Sequence, residues 1–133
     1  AASSPNCPNY LQSAIDKVID KGFSVVAAAA NYGHDASNNS PGNCEGVITV
    51  GALTAEGELA SFSNYGKNLD VSVLGDGIVA MSRENTTEPS WWSGTSFATP
   101  LVSGILPAAK RETGATDAPL KLALKLTETQ RKD

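Results

Sequence analysis

The first pattern along the chain is helical. Apolar side chains recur three and four residues apart from Leu11 to Ile19, and Asp and Lys residues fill the opposite face. This spacing predicts an amphipathic helix over residues 9–21, with Gly22 at its C-terminal end. The next segment, FSVVAAAA at residues 23–30, is continuously apolar, as expected of a strand buried on both faces of a parallel sheet.

Three further apolar segments predict strands after a polar loop at residues 31–43. They are separated by segments rich in Gly, Asn and Ser, which are typical of turns. The predicted strands are GVITVGAL at 46–53, LDVSVL at 69–74 and GIVAM at 77–81. The segment that follows, residues 82–90, is predicted to be an exposed loop.

A second helical pattern begins at Thr95 and runs to Lys110. Pro100 falls within its first turns, where a missing N–H costs little. Pro107 is expected to kink the helix or to end it near the preceding residue, because proline cannot donate the backbone hydrogen bond. Asp117 can cap a last, less periodic helix.

The order of these elements indicates an α/β fold with a largely parallel sheet covered by helices. A doubly wound sheet normally begins with a strand, whereas the first element predicted here is a helix. The set of elements therefore indicates part of such a sheet. The chain also lacks an initiator Met and a signal peptide, and we interpret its first residues as the start of a processed or excised chain.

The composition limits the partners. The chain has 133 residues, about one small domain, and its formal net charge is −4. An acidic balance argues against nucleic acid and against anionic membranes as partners. No segment approaches the roughly 18 consecutive apolar residues that a membrane-spanning helix needs. We therefore predict no nucleic-acid partner and no membrane partner.

The cysteine count leaves two interpretations open. Cys7 and Cys44 are too few for a structural zinc site, because His34 is the only histidine. One disulfide would indicate an oxidising compartment. Two unrelated buried thiols agree with the count equally well.

The segment SGTSFATP, residues 93–100, contains the candidate chemistry. A serine in the first turn of a helix is favoured as a nucleophile, because unpaired N–H groups and the positive end of the helix dipole face the reaction centre. Such a nucleophile also needs a base and donors for the developing oxyanion. Ser96 is the candidate, and the alternative is that Ser93 or Thr95 merely caps the helix.

Four segments in sequence resemble the C-terminal half of the catalytic domain of subtilases, the subtilisin-like serine peptidases of secreted bacterial type. They are VVAAAANYG, VITVGAL, SFSNYGKNLDVSVLG and WWSGTSFATPLVSG, and the resemblance runs from about Leu11 to Arg111. The Gly-Thr-Ser-x-Ala-x-Pro motif is highly specific. The resemblance implies that residues 1–133 form the C-terminal portion of a doubly wound, largely parallel subtilisin-like sheet flanked by helices.

The resemblance also implies a serine endopeptidase that works through an acyl-enzyme. Ser96 matches the nucleophile and Asn31 matches the oxyanion-hole asparagine, with the Ser96 backbone N–H as second donor. Small residues would wall the pocket for the residue before the scissile bond, and a tryptophan would line the leaving-group side. The substrate-binding positions implied are Ala28, Ala29, Ala30, Trp92, Ser93, Gly94 and Thr95. Most members have Gly where Ala30 stands, so its methyl could narrow the pocket or strain the turn.

A disulfide and a metal site follow from the same resemblance. It implies a disulfide between Cys7 and Cys44, as in secreted bacterial members. It requires no cofactor, but it allows a structural Ca²⁺ ion held by the Asp70 carboxylate and the carbonyls of Glu45 and Val47. The alternative for Asp70 is that it caps a strand or pairs with a lysine.

The catalytic Asp and His of the family precede Leu11, and nothing in this chain matches either. His34 lies in a polar loop and is expected to be exposed. We therefore expect a partner, an N-terminal chain of the same protease that supplies Asp and His, acting with this chain on protein or peptide substrates. The expected location is secreted, periplasmic or extracellular. The alternative is a non-catalytic peptide-binding module, a pseudo-enzyme or fragment of the same fold.

Overall fold

The computed structural model describes residues 2–82 and 87–113, which fold into short strands and two α-helices. In chain order the elements are β1 (Ala2–Ser3), α1 (Asn9–Ile19), β2 (Val25–Ala28), a 3-10 turn (Ala36–Asn38), β3 (Asn39–Ser40), β4 (Val47–Leu53), β5 (Val71–Leu74), β6 (Ile78–Met81), β7 (Pro89–Trp92) and α2 (Thr95–Thr113). Gly22 follows α1 with a φ of 82°, as expected of a glycine that ends a helix.

A parallel sheet of three strands is the centre of the fold. Its order is β2-β4-β5, and every residue of the central strand β4 is buried. Val25 pairs with Val47 at one end of the β2–β4 ladder, and Ala28 pairs with Val50 at the other. The continuous apolar segments therefore form parallel strands, which confirms the predicted α/β class, but β2 and β5 are only partly buried. The carboxyl ends of the three strands lie at one edge of the sheet.

Helices cover both faces of this sheet. Val50 belongs to one hydrophobic cluster with Val102 of α2, whereas Val47 belongs to another with Ile15 of α1. Positions 47 and 50 differ by an odd number and so point to opposite faces of the strand. The cluster on the α2 side is completed by Ile48, Ala52, Ala60, Val71, Ala98 and Leu106.

The segment before α2 differs from the prediction. The strand predicted at 77–81 is present, but it pairs antiparallel with Pro89–Trp92 in a hairpin outside the parallel sheet. The prediction of a loop through residue 90 is therefore wrong. Three of the four residues of Pro89–Trp92 are exposed, so this strand carries no pattern of buried positions that could mark it in the sequence. The two-residue strands β1 and β3 are too short to show a pattern.

Helix α2 continues through Pro107 to Thr113, so Pro107 does not end the helix near Leu106. The other expected outcome, a kink at Pro107, stays a prediction. A proline inside a helix costs about 3 kcal/mol. Val102 and Leu106 are buried against the sheet, and each contributes about 1.5–3 kcal/mol. Packing therefore offsets the lost backbone hydrogen bond. The helix predicted from Asp117 lies outside the described residues, and within those residues no helix has the length and apolarity needed to cross a bilayer.

Cys7 and Cys44 form a disulfide, which confirms the predicted pairing. The bond closes a loop with a sequence separation of 37 residues, for which loop-closure entropy predicts about 4 kcal/mol of stabilisation. Next to it, the Gln12 side-chain amide donates to the Glu45 carbonyl at 3.1 Å and accepts the Glu45 N–H at 2.9 Å. Helix α1 is thus attached to the segment that leads into β4.

Candidate active site

Ser96 lies in the first turn of α2, with its side chain exposed. The carbonyl of Gly94 accepts the N–H of Phe97 at 3.0 Å and of Ala98 at 3.4 Å. Within the described residues, no hydrogen bond reaches the Ser96 hydroxyl or the Ser96 N–H. A hydroxyl and a backbone donor are therefore presented together at the positive end of the helix dipole.

Asn31 follows the end of β2 and reaches this same turn. Its Oδ1 atom accepts the backbone N–H of Thr95 at 2.8 Å and the Thr95 hydroxyl at 2.8 Å. Because both partners donate, the oxygen of the carboxamide must face Thr95, and Nδ2 must face the other way. A Cβ atom built at Gly94 would lie 3.3 Å from Nδ2. Nothing in the described part of the chain accepts a hydrogen bond from that nitrogen.

Asn31 Nδ2 and Ser96 N, two N–H donors with no acceptor among the described residues, thus both lie close to Gly94, since a Cβ atom built there would be 3.3 Å from Asn31 Nδ2 and 3.8 Å from Ser96 N. Fixed donors of this kind stabilise negative charge that develops on an oxygen, because they need no reorientation during the reaction. The carboxamide is neutral and does not titrate. The structure therefore brings together the predicted nucleophile and the predicted oxyanion donors.

The neighbouring hydroxyls have other partners than the helix N–H groups. Ser93 Oγ donates to Asp76 Oδ1 and accepts the N–H of Gly77 at 3.1 Å. Thr95 Oγ1 donates to Asn31. Because both hydroxyls are engaged in this way, the interpretation of Ser93 or Thr95 as a helix cap is wrong. The N–H of Thr95 is accepted instead by Asn31, which is 64 residues away in sequence.

The turn that carries Asn31 is strained. Ala30 has a φ of 79°, in the left-handed region, and it is the only residue other than glycine with positive φ in the described ranges 2–82 and 87–113. For a residue with a Cβ atom this conformation costs about 1–2 kcal/mol. The expectation that Ala30 strains the turn is confirmed.

Two glycines let the start of α2 approach the strand ends. The N–H of Gly94 donates to the carbonyl of Gly75, directly after β5, at 2.7 Å. A Cβ atom at Gly75 would lie 2.7 Å from the Cβ of Ala52 and 3.0 Å from that of Ala98, too close for any side chain. The helix that carries Ser96 is thus placed directly against the carboxyl edge of the sheet.

The predicted substrate-binding residues lie around this centre. Trp92, partly exposed, stacks on Phe97 with ring centroids 5.8 Å apart, whereas Trp91 is 76% exposed. Ala28 is half-buried, and Ala29 and Ala30 are buried. Their roles in binding substrate stay predictions.

His34 is exposed, as expected. Its Nδ1 atom lies 3.1 Å from the carbonyl of Asp35, and its ring stacks on Tyr32 with centroids 5.3 Å apart. The Asp35 carboxylate accepts the N–H of Ser37 at 2.8 Å. That hydrogen bond, aided by the charge of Lys67, lowers the pKa of Asp35. None of these groups is hydrogen-bonded to Ser96.

Two of the three proposed calcium ligands, the Asp70 carboxylate and the Glu45 carbonyl, have protein partners. Asp70 Oδ2 accepts the N–H of Thr49 at 2.8 Å, and the carbonyl of Glu45 accepts from Gln12. The third, the carbonyl of Val47, belongs to a buried residue at the start of β4. Within the described residues, no group of three His, Cys, Asp or Glu side chains could hold a metal ion. These contacts do not favour a calcium site, which stays a prediction.

Two roles were missed by sequence reasoning. Thr95 anchors the Asn31 carboxamide, whereas the sequence predicted it to be part of a pocket wall or a helix cap. Asn64 is fully buried and accepts the N–H groups of Tyr32 and His34, the residues that follow Asn31. Both contacts join residues at least 30 positions apart, so no local pattern could have revealed them.

Comparison with known proteins gives consistent matches. The model of the Subtilase family matches residues 2–131. An extracellular protease of Xanthomonas campestris pv. campestris is 36% identical over 129 residues, covering 92% of this chain and 22% of that protein. Alkaline protease 1 of Aspergillus clavatus is 43% identical over 93 residues, covering 70% of this chain and 23% of that protein.

Solved structures of proteases have the same fold. A protease of Pseudoalteromonas arctica PAMC 21717 superposes with a TM-score of 0.82 at 32% identity, over 95% of this chain and 41% of that one. A cold-adapted subtilisin-like serine proteinase gives a TM-score of 0.81 at 32% identity, over 96% of this chain and 47% of that one. The chain thus spans less than a quarter of these two curated relatives and less than half of these two structures.

Proposed function

The chain belongs to the subtilase family, and from that premise we propose that it supplies the nucleophile and the oxyanion hole of a serine endopeptidase. The observation that carries the proposal is the pair of N–H donors Asn31 Nδ2 and Ser96 N, which have no acceptor in the described part of the chain and lie at the turn that exposes the Ser96 hydroxyl. Strand-end placement supports it, since ligands of parallel α/β sheets bind beyond the carboxyl ends of the strands.

In this mechanism Ser96 Oγ attacks the carbonyl carbon of a peptide bond as its proton passes to a histidine base. The carbonyl π electrons move to oxygen, and the resulting oxyanion accepts hydrogen bonds from Asn31 Nδ2 and Ser96 N. Collapse of this intermediate breaks the C–N bond, and the amine leaves with the proton from the base. The acyl group remains as an ester on Ser96 until water hydrolyses it by the same steps.

The histidine base and its orienting aspartate belong to a partner segment in this proposal. The described surface supports such a partner, because large apolar side chains are exposed on the outer side of α2 and near the start of β2. They include Leu101, 47% exposed, Ile105, 58% exposed, and Phe23, 64% exposed. β2 is also an edge strand of the described sheet, with one side open for pairing. Large apolar exposure marks surfaces that other protein covers.

The proposed substrates are proteins or peptides, and the proposed location is outside the cytoplasm. The Cys7–Cys44 disulfide supports this location, because such bonds persist in oxidising compartments. The Xanthomonas campestris relative is named an extracellular protease. No observation favours the alternative of a non-catalytic peptide-binding module.

Labelling with a fluorophosphonate tests the proposal, because the probe phosphonylates activated serines. In the complete protease, which includes the segment with Asp and His, the probe should label the wild-type chain at Ser96. Ser96→Ala should abolish labelling, whereas Ser103→Ala, an exposed hydroxyl two turns along the same helix, should retain it. Equal labelling of Ser96→Ala and wild type would contradict the proposed function.

A further inference from the structure

We propose that Asn64 is a positioning residue for the oxyanion donor Asn31. The proposal rests on the function proposed above, since it gives Asn64 a part in the same site. Asn64 is fully buried, in the connection between β4 and β5, and it touches no residue of the serine turn in α2 through a hydrogen bond. Its hydrogen bonds reach both sides of Asn31.

The segment that carries Asn31 needs support from outside the sheet. β2 ends at Ala28, and the last hydrogen bond from this segment to the sheet is donated by Ala29 to the carbonyl of Val50 at 2.9 Å. Ala30 then adopts a positive φ, and the strain of this conformation favours a change of the backbone away from it. Asn31 begins an exposed loop. Without a further contact to the main chain beside it, the direction of the Asn31 carboxamide would depend on its two hydrogen bonds with Thr95 alone.

Asn64 supplies that hold with three hydrogen bonds. Its N–H donates to the carbonyl of Ala30 at 3.1 Å, just before Asn31. Its Oδ1 atom accepts the N–H of Tyr32 at 3.0 Å and of His34 at 3.3 Å, just after Asn31. One buried residue therefore fixes the main chain on both sides of the oxyanion donor.

The orientation of the Asn64 carboxamide is itself fixed. Asn64 Nδ2 donates to Asn39 Oδ1 at 2.9 Å, and Asn39 is only 1% exposed. The oxygen of Asn64 must then face the loop, where it meets two N–H donors. Asn39 Nδ2 has no partner among the described residues, so Asn39 has a donor that could turn toward a new acceptor at position 64.

Two residues thus position Asn31, one through its side chain and one through its backbone. Thr95 holds the Oδ1 atom of the Asn31 side chain, and Asn64 holds the backbone on which that side chain stands. Loss of Asn64 should misdirect Nδ2, which acts only when the oxyanion forms. Its loss should therefore lower kcat and leave KM nearly unchanged, because transition-state stabilisation is removed and substrate binding is not.

The first test compares Asn64→Ala and Asn64→Asp in the complete protease, with active sites counted by fluorophosphonate titration. Asn64→Ala should lower kcat about 10-fold to 100-fold, less than the loss of a whole oxyanion donor. Asn64→Asp keeps acceptors for Tyr32 and His34 and should restore most of kcat. The matched control is Thr49→Val, which removes a buried hydroxyl bond to the carbonyl of Gly42 away from Asn31. It should leave kcat unchanged.

The decisive test is a double-mutant cycle with Asn31→Ala. If Asn64 acts through Asn31, adding Asn64→Ala to Asn31→Ala should lower kcat by less than about twofold. Multiplication of the two single effects would overturn the positioning role. If Asn64→Ala does not fold, Asn64→Ser replaces it in the same cycle. Absence of labelling at Ser96 would overturn the proposed function together with this role, whereas labelling with multiplicative effects would overturn only the role of Asn64.

Discussion

The two halves of the candidate site are built in opposite ways. Ser96 lies in a short local motif: the first turn of the helix that begins at Thr95 exposes its side chain, aligns the helix dipole and leaves its N–H without an acceptor among the described residues. Asn31 stands on a strained turn that is held by Thr95 and Asn64, both distant in sequence. The position of the proposed nucleophile is therefore specified locally, and that of the proposed oxyanion donor by tertiary contacts. Substitutions should affect the two halves differently.

Removal of the nucleophile should have the largest effect. Ser96→Ala leaves the helix and both oxyanion donors in place, but no atom remains to form the acyl-enzyme. The fall in kcat should approach the roughly 10⁶-fold known for loss of the serine in subtilisin, a member of this family. Hydrolysis of a peptide ester by the complete protease measures it. Ser103→Ala should keep wild-type kcat, and a fall of less than about tenfold in Ser96→Ala would contradict the nucleophile role.

Removal of the distant donor should have the next largest effect. Asn31→Ala deletes Nδ2, and kcat should fall about 10²–10³-fold with KM nearly unchanged, as known for the oxyanion-hole asparagine of subtilisin. Steady-state kinetics of the complete protease measures both constants. Asn38→Ala, in the same loop region and exposed, is the control. A rise in KM without a change in kcat would instead indicate that Asn31 binds substrate.

The contact that joins the two halves should have an intermediate effect. Thr95→Val removes the hydroxyl that donates to Asn31 Oδ1 but keeps the backbone N–H, so the carboxamide loses one of its two anchors. A hydrogen bond contributes about 0.5–1.5 kcal/mol, and kcat should fall up to about tenfold. Thr99→Val, which removes a hydroxyl bond to the Thr95 carbonyl one turn later, should leave kcat unchanged. An equal fall of kcat in both variants would contradict a specific role of the Thr95 hydroxyl and would indicate a general disturbance of α2.

The smallest effect should be a gain in stability from relief of the strain at Ala30. Ala30→Gly relieves the positive φ of the turn, and part of that relief is offset by the greater freedom of glycine in the unfolded chain. The free energy of unfolding should rise by about 0.5–1 kcal/mol, as measured by urea denaturation of the complete protease. Ala36→Gly, at a buried alanine without positive φ, should lower it. A loss of stability in Ala30→Gly would show that the methyl group contributes packing that outweighs the strain.

This difference also explains what the sequence could predict. The parallel strands and both helices were predictable because buried apolar segments and helical spacing are local patterns. The place of Ser96 at the start of α2 was predictable from a contiguous motif, and the place of Asn31 at a strand end from the apolar segment before it. Their catalytic roles follow from the family resemblance and stay predictions. The hairpin strand Pro89–Trp92 carries no buried pattern, and Pro107 is tolerated because of packing that no local window shows.

The missed parts of the site share one physical cause. Thr95 is hydrogen-bonded to Asn31, and Asn64 is hydrogen-bonded to the loop that follows Asn31. Both contacts join residues that are distant in sequence. Such contacts exist only after the sheet and α2 have packed together. A hydroxyl and an amide have many partners available in a sequence, and only the fold selects one.

The roles of Ser96 as nucleophile and of Asn31 as oxyanion donor are tested most directly by a crystal structure of the complete protease with a phosphonate bonded to its nucleophile. The phosphonyl oxygen imitates the oxyanion. We expect a bond from phosphorus to Ser96 Oγ, with the phosphonyl oxygen about 2.7–3.1 Å from both Asn31 Nδ2 and Ser96 N. A phosphonate on another residue, or a phosphonyl oxygen that Asn31 Nδ2 does not reach, would contradict it.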